Sequence, residues 1–217
     1  MPLAEEALEK LCRTYWYPLY AYLRRRGYGE HDAQDLTQGF FAHLLGRQSI
    51  QGVERAKGKF RSFLLASLNY YLADERDRAE AQKRGGGREI LSLDSHGAEE
   101  RYRIEPVDDR TPERIFEHRW AMTLLDRVLT RLAEEFTEAG KRELFDRLQP
   151  FLVEGTGAQT YAEAGREAGM SEEAVKKAVQ RLRRRYGQLF REEIAQTVAN
   201  PQEVEEELRY LCNVLGS

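Results

Sequence analysis

The sequence predicts an all-α protein with two small helical domains joined by a flexible linker. Apolar residues recur three and four positions apart over most of the 217 residues, which is the spacing of one helix face. Only 6 prolines interrupt this spacing. The stretch 82–110 differs from both flanks, because it holds the triple glycine Gly85–Gly87 together with serine, proline and paired aspartates. We therefore interpret it as the linker.

Three helices are predicted in the N-terminal domain, residues 1–81. Acids near Glu30 suit the N-terminus of the second helix, and Gly46 is expected to end it. Pro18 is expected to kink or divide the first helix, because proline removes a helical hydrogen bond. The predicted spans are 2–26, 30–46 and 60–78.

The linker is expected to have little regular structure apart from a brief extended piece at Glu89–Leu93. Thr111 followed by Pro112 is typical of an N-cap and the first helical position, so the C-terminal domain, 111–199, is expected to begin there. Its further predicted elements are helices at 113–137 and 141–153, a hinge at 155–157, and two helices within 160–191.

Residues 160–185 predict a short helix, a tight turn at Gly169–Met170 and a second helix that is rich in Lys and Arg. Ser171 is typical of an N-cap, and two glutamates follow it in the first turn. From Ser171 to Arg191, seven basic residues stand against two acidic ones, a balance of +5 in a chain of net charge −3. This layout is that of a DNA-binding helix-turn-helix. The charge alone leaves a solvated helix face open as the alternative. The residues expected to face inward are Ala174, Val175, Ala178, Val179 and Leu182.

Composition argues against several other classes of protein. No apolar run approaches the roughly 18–20 residues that a membrane helix needs, and the acidic N-terminus lacks a signal-like apolar core. We therefore expect no membrane association and a cytoplasmic location. Cys12 and Cys212 lie far apart and form no CxxC pair, so we expect packing roles for both. The pattern indicates no metal site and no cofactor.

Two segments of the N-terminal domain resemble the second conserved domain of bacterial RNA polymerase sigma factors of the extracytoplasmic-function (ECF) type. Asp32–Leu45 reads DAQDLTQGFFAHLL, and Phe60–Arg78 reads FRSFLLASLNYYLADERDR. Thr160–Arg185 resembles the last domain of the same family. The resemblance implies a non-catalytic subunit that joins core RNA polymerase, recognises two elements of promoter DNA and assists in opening it. An anti-sigma protein is a further partner that the resemblance leaves open.

The resemblance implies that the acidic helix binds an arginine-rich coiled-coil on the polymerase clamp. Leu36 and Phe40 fit either an apolar anchor or the core of the domain, and the sequence leaves both open. Gly39 stands where the family usually has Glu, which thins the acidic surface. The candidate polymerase-binding residues are Asp32, Asp35, Leu36, Gln38 and Phe40.

Contacts to DNA follow from the same resemblance. Phe60, Phe63 and Tyr71 are expected to lie mostly in the core, and Tyr70 stands where Asn is common in the family. Gly165 stands where Ala is usual and is expected to weaken the supporting helix. The candidates for melted DNA are Lys59, Arg61, Phe63, Tyr70, Arg76 and Arg78. The candidates for the upstream element are Ser171, Glu173, Lys176, Lys177, Arg181, Arg183, Arg184 and Arg185.

The tail, residues 200–217, carries four glutamates and one arginine and predicts a short amphipathic helix. Its acidic side is expected to hold Glu203 and Glu205–Glu207, and its apolar side to include Val204, Leu208 and Leu211. Two interpretations stay open. In one, the helix folds onto the basic second helix of the helix-turn-helix and competes with DNA, or it binds another protein. In the other, it extends the core of the last domain.

Two other functions compete with the sigma-factor interpretation. A DNA-binding regulator that never joins polymerase needs the helix-turn-helix but not the acidic helix. A metal-dependent nuclease needs carboxylates that converge on one site. The nearest such group in the sequence is Asp74, Glu75 and Asp77, which crowd one helix end between basic residues. We therefore do not expect an enzyme.

Overall fold

The computed structural model describes residues 2–46, 59–81, 98–104, 110–152 and 159–216, and every regular element in these ranges is helical. The all-α prediction is confirmed. None of these helices is long and apolar enough to cross a membrane. The α-helices are α1 (Pro2–Arg25), α2 (Glu30–Gly46), α3 (Phe60–Ala81), α4 (Ala98–Ile104), α5 (Pro112–Glu138), α6 (Arg142–Leu148), α7 (Tyr161–Ala168), α8 (Glu172–Ala195) and α9 (Glu203–Gly216).

Most helix ends agree with their local sequence signals. The Thr111 hydroxyl accepts a hydrogen bond from the Arg114 backbone N–H, as an N-cap should. Pro18 lies within α1, which continues past it to Arg25, so the expectation that it divides the helix is wrong. After α6 the chain tightens into a 3-10 turn, Gln149–Leu152, where a continuous α-helix was expected. The expected features at 89–93 and 155–157 lie outside the described residues.

Among its described residues the predicted linker contains a helix, α4, so the expectation of little regular structure is wrong for these seven residues. Glu99 of α4 is buried against α1, where its carboxylate accepts hydrogen bonds from the Tyr20 hydroxyl and, at 3.1 Å, from Arg24. These contacts explain the helix, because seven residues are too few for a helix to be stable alone.

The chain forms two compact units. Unit 1 comprises residues 1–123 and 197–217, and unit 2 comprises residues 124–196. The division therefore lies within α5 rather than in the predicted linker. It also places α9, the predicted acidic tail, in the same unit as α1, α2 and α3.

The core of unit 1 is unusually aromatic. Leu19, Tyr20 and Leu23 of α1 are fully buried, and so are Phe41 of α2 and Leu68 of α3. Rings also join the ends of these helices to α5. Tyr15 stacks on Trp120 with ring centroids 6.4 Å apart, and its ring meets Phe60 edge-on at 5.2 Å. Such ring pairs contribute beyond their buried area.

The apolar side of α9 is narrower than the sequence pattern indicates. Val204 and Leu211 are buried, but so is Glu207, which was expected on the acidic surface. That expectation is wrong, because Glu207 pairs with cations of α3. Cys212 is exposed, so its expected packing role is also wrong. The Cys12 side chain lies outside the described residues.

The core of unit 2 forms where α5, α6, α7 and α8 bury their apolar stripes. Four of the five residues predicted to face inward in α8 are buried, namely Val175, Ala178, Val179 and Leu182, while Ala174 is only partly buried. Two N-caps fix the starts of α7 and α8. Thr160 and Glu163 form a reciprocal capping box at the start of α7, and Ser171 caps α8 by accepting a bond from the Ala174 backbone N–H at 3.2 Å.

Gly165 is required by the turn between α7 and α8. A Cβ atom at this position would lie 2.7 Å from the Met170 carbonyl oxygen. The Met170 backbone N–H donates to the Gly165 carbonyl oxygen at 2.8 Å, and Gly169 adopts the left-handed conformation with φ +63°. The expectation that Gly165 merely weakens α7 is therefore incomplete, because its missing side chain lets the turn close over the helix.

We expect Gly165→Ala to lower the free energy of unfolding by about 1–3 kcal/mol, because the methyl group meets backbone that must move. Helix propensity alone predicts the opposite sign, since Ala is favoured over Gly in a helix by about 1 kcal/mol. Thermal unfolding followed by circular dichroism measures the change.

Gly187 of α8 is the matched control for this substitution. A Cβ atom there would meet only the end of the flexible Arg191 side chain, at 3.4 Å. Gly187→Ala should leave stability unchanged or raise it by up to about 1 kcal/mol. Equal effects of the two substitutions would contradict a steric role for Gly165.

Candidate nucleic-acid and protein-binding surfaces

The first half of α8 presents an exposed basic face. Lys176, Lys177, Arg181 and Arg184 are all exposed. Arg181 and Arg184 lie three residues apart, so they share one side of the helix. Neither is paired with an acid among the described residues. These two arginines can contact a polyanion without giving up an ion pair to another described residue.

The two lysines of this face already have acidic neighbours on the same helix. Lys176 pairs with Glu172 at 2.6 Å, and Lys177 pairs with Glu173 at 2.8 Å. The hydrogen bond from Lys176 to Glu172 raises the pKa of Lys176. All four side chains are at least half exposed, so these pairs contribute little to stability and exchange readily for other anions. The lysines therefore remain available.

Arg183 and Arg185 are only partly exposed and are engaged in hydrogen bonds within unit 2, so their contacts with DNA stay predictions. Arg183 donates from Nη2 and Nε to the Phe151 carbonyl oxygen, at 2.7 Å and 3.0 Å. Arg185 donates from Nε to Glu135 Oε2 at 2.8 Å, and its Nη2 reaches the other oxygen. These contacts hold α8 within unit 2, so the two side chains have structural roles there.

Ser171 and Glu173 lie at the start of the same helix and are exposed. The Ser171 hydroxyl is engaged in capping, so its first role is to fix the N-terminus of α8. An exposed helix N-terminus also offers backbone N–H groups and a favourable dipole to phosphate. The two glutamates after Ser171 oppose that attraction, so the basic face begins at Lys176.

The exposed side of α2 is acidic at its N-terminal end. Asp32 and Asp35 are exposed, while Leu36 and Gln38 are partly buried. Phe40 is only 1% exposed and contacts Phe41 and Tyr71, so it belongs to the core of unit 1 rather than to an apolar anchor. Leu36 is only partly buried, so both of its roles stay open, as an apolar anchor for a partner and as a core residue.

Gly39 marks a close approach between α2 and α3. A Cβ atom at this position would clash with the Tyr71 hydroxyl of α3. The glycine therefore serves packing, and a glutamate there would require Tyr71 to move. The acidic surface of α2 is limited to its first turns for this reason.

The C-terminal half of α3 carries an exposed ring among basic side chains. Tyr70 is 77% exposed, and no other large apolar or aromatic side chain in the described ranges is exposed to this degree. Arg76 is exposed, and Arg78 is exposed and pairs with Glu75 at 2.6 Å. Phe63 is partly buried beside Phe60, with ring centroids 6.0 Å apart, in keeping with a mainly packing role.

Lys59 and Arg61, at the N-terminal end of α3, are held by acids instead of lying free for DNA. Arg61 is only 6% exposed. Its Nε donates to Glu207 Oε1 and its Nη1 to Glu117 Oε1, both at 2.7 Å. Lys59 Nζ lies 2.7 Å from Glu207 Oε2. In this structure Arg61 is therefore engaged in a buried ion pair, and its contact with DNA stays a prediction.

The surroundings of Arg61 favour its charged form. Burial alone would lower the pKa of Arg61, but the hydrogen bond and charge of Glu207, helped by Glu117, raise it above its usual value. Burial and a hydrogen bond to Glu117 raise the pKa of the Tyr210 hydroxyl. We define the Arg61 cluster as Lys59, Arg61, Glu117, Trp120, Glu207 and Tyr210.

Several of these ion pairs could not be predicted from the sequence, because the two partners lie far apart along the chain. Glu207 and Glu117 look like ordinary surface acids, since each stands among other polar residues of a helix. Glu193, buried beside Arg127 at 2.9 Å, is a further case. The sequence held a weak signal that Glu207 is buried, because Glu207 lies three residues after Val204 and four before Leu211, on the same side of the helix.

The acids Asp74, Glu75 and Asp77 do not form a metal site. Glu75 pairs with Arg78. The described residues contain no group of three or more His, Cys, Asp or Glu side chains arranged to hold a metal ion. No observation in this part of the chain favours the nuclease alternative.

We expect Glu135→Gln to lower the stability of unit 2 by about 1 kcal/mol at neutral pH, since it removes a charged bidentate partner of Arg185. The Arg185 hydrogen bond lowers the pKa of Glu135. The stabilisation is therefore present above the unfolded value, about 4.3, and is lost as the pH falls through the lowered folded value.

Urea unfolding of the wild type and the variant at neutral pH and in strong acid measures this difference, which should vanish in acid. Glu173→Gln removes a glutamate from an exposed pair and should change stability by less than about 0.5 kcal/mol. A difference that persists unchanged in acid would show that Glu135 acts through shape rather than charge.

Comparisons with known proteins assign no role to these surfaces. Protein-family models, curated proteins and solved structures were each compared with the chain, and none gave a significant match.

Proposed function

We propose that the chain is an ECF-like sigma factor, a non-catalytic subunit that binds core RNA polymerase and directs it to promoter DNA. One observation carries the proposal above the others. The exposed acids of α2 and the exposed cations of α8 occur on helices whose opposite sides are buried, at the positions that the family resemblance assigns to polymerase and to the upstream promoter element.

The basic face of α8 supports recognition of duplex DNA. The order of a short helix, a tight glycine turn and a capped second helix supports a helix-turn-helix, a motif whose second helix enters the major groove. Lys176, Lys177, Arg181 and Arg184 supply cations for phosphates and base edges. Each phosphate neutralised would release counterions, so the affinity should fall steeply with salt.

The acids of α2 support the polymerase interaction. Asp32 and Asp35 are exposed and lie three residues apart, so they present two carboxylates on one side of the helix. Carboxylates of this kind form charge-assisted hydrogen bonds with arginine and steer association. Leu36, partly buried beside them, offers an apolar contact at the edge of the same surface.

The exposed ring of α3 supports contact with melted DNA. Tyr70 is accessible to an unstacked base, and single strands are commonly bound by aromatic rings flanked by cations. Arg76 and Arg78 lie on the same helix. Arg26, the residue after α1, is exposed and donates to Asn69, the residue before Tyr70, at 2.6 Å. These three arginines are the cations that we assign to this surface.

A DNA-binding regulator that acts without polymerase remains the alternative, since α8 alone would support it. Association with core polymerase separates the two. We expect the purified chain to co-elute with bacterial core RNA polymerase at moderate salt and to direct run-off transcription from genomic fragments. Failure to associate would refute the sigma-factor proposal and leave a duplex-binding regulator.

The variant Asp32→Asn/Asp35→Asn should weaken association with core polymerase by about tenfold, because it removes two steering charges while retaining the side-chain shape. Fluorescence titration of labelled protein with core polymerase measures the affinity. Glu205→Gln/Glu206→Gln makes the same change in net charge on exposed acids of α9 and should have an effect of less than about twofold. Equal losses of affinity in the two double variants would argue against a polymerase-binding role for the acids of α2.

The variant Arg181→Gln/Arg184→Gln should weaken binding to duplex DNA by about tenfold and reduce the salt slope by about two, one for each lost phosphate contact. Fluorescence anisotropy over a salt series gives both quantities. Arg114→Gln removes an exposed arginine at the start of α5 and serves as the control. An unchanged salt slope in the double variant would contradict the role of this face.

A further inference from the structure

The Arg61 cluster contains two cations whose anions and rings come largely from α9. Glu207 uses both carboxylate oxygens, with Oε1 accepting from Arg61 Nε and Oε2 lying 2.7 Å from Lys59 Nζ. Glu207 is fully buried, while the Lys59 side chain is 30% exposed. Glu207 therefore covers Arg61 at the start of α3, while Lys59, just before this helix, stays near the surface.

Aromatic rings complete the coordination of these cations. The Arg61 guanidinium carbon lies 4.2 Å from the centroid of the Tyr210 ring and 5.7 Å from that of Trp120. Lys59 Nζ lies 5.2 Å from the Tyr210 centroid. Contacts of this geometry are cation–π interactions, which strengthen when the cation is removed from water.

Glu207 and Tyr210 present an anion and a planar ring on one side of α9, three residues apart. A nucleotide of a single strand presents the same two groups, a phosphate and a base. We propose that α9 is an internal substitute for single-stranded nucleic acid, which occupies Lys59 and Arg61 until a strand displaces it. This inference rests on the proposed function, since the family resemblance behind it places Lys59 and Arg61 among the candidates for melted DNA.

The contacts of Arg61 make such an exchange physically reasonable. Glu117 belongs to α5 and holds Nη1, so it keeps its hydrogen bond when α9 leaves. Departure of Glu207 then exposes the Nε and Nη2 edge, which is the edge that binds a phosphate in bidentate fashion. A cation buried without a partner is costly, so either Glu207 or a phosphate must occupy this edge.

The opposing cost of opening is the apolar burial of α9, which is small. Val204 and Leu211 are the buried apolar residues of this helix. Replacing one anion and one ring by another anion and ring changes the energy of the cations little. The apparent affinity for a strand is then the intrinsic affinity multiplied by the open fraction of the protein. Weakening the closure should therefore strengthen strand binding.

The variant Glu207→Gln tests this in the full-length protein without polymerase. It retains the shape of the side chain and removes the charge that holds α9 closed. We expect it to bind a fluorescein-labelled oligothymidylate about tenfold more tightly than the wild type, by anisotropy at low salt. The absence of polymerase keeps this result independent of the sigma-factor test.

Glu206→Gln is the matched control, since it removes one negative charge from an exposed neighbour on the same helix. It should change the affinity by less than about twofold. Equal gains in the two variants, or no gain in a Glu207→Gln protein with wild-type circular dichroism, would overturn the proposal.

Amide hydrogen exchange of the wild-type protein decides the matter even if the variant does not fold. Saturating oligothymidylate should accelerate exchange in Glu203–Gly216, because the strand holds α9 in its open state. Unchanged or slower exchange in this helix on strand binding would overturn the proposal.

Discussion

The organisation of unit 1 depends on the ion pair between Arg61 and Glu207. The two residues are 146 positions apart, and both are buried. A buried charge is tolerated only with a partner of opposite sign and satisfied hydrogen bonds. Arg61 on α3 therefore requires an anion at its Nε edge, which Glu207 of α9 supplies here, and a buried Glu207 requires the cations beside α3. This mutual requirement explains why the end of the chain belongs to the same unit as its beginning.

Local features of the fold could be predicted from the sequence, because they depend on neighbouring residues. Thr111 and Ser171 cap the helices that follow them, and α2 has the predicted ends at Glu30 and Gly46. The all-α class follows from the same short-range periodicity. The partners of Glu99 and Arg185 could not be predicted, since they lie 79 and 50 residues away in Tyr20 and Glu135.

The candidate surfaces illustrate the same limit. The run Arg183–Arg185 looks uniformly basic in the sequence, yet only Arg184 is exposed, while its two neighbours are engaged in hydrogen bonds within unit 2. A helix turns about 100° per residue, so adjacent arginines necessarily face different environments. Which environment is solvent depends on where α5 and the 3-10 turn pack, and this is tertiary information. Gly165 is a similar case, since its role depends on the path of the turn.

The division of unit 1 between two ends of the chain has a consequence for biosynthesis. The ribosome makes residues 124–196 after most of unit 1 and before α9. Unit 2 can therefore complete its fold while Arg61 still lacks Glu207. Domains usually fold in the order of their translation, from the N-terminus onward. Here the N-terminal unit is the last to be finished, so a nascent chain stalled before α9 would have Arg61 paired with Glu117 alone and an incomplete core.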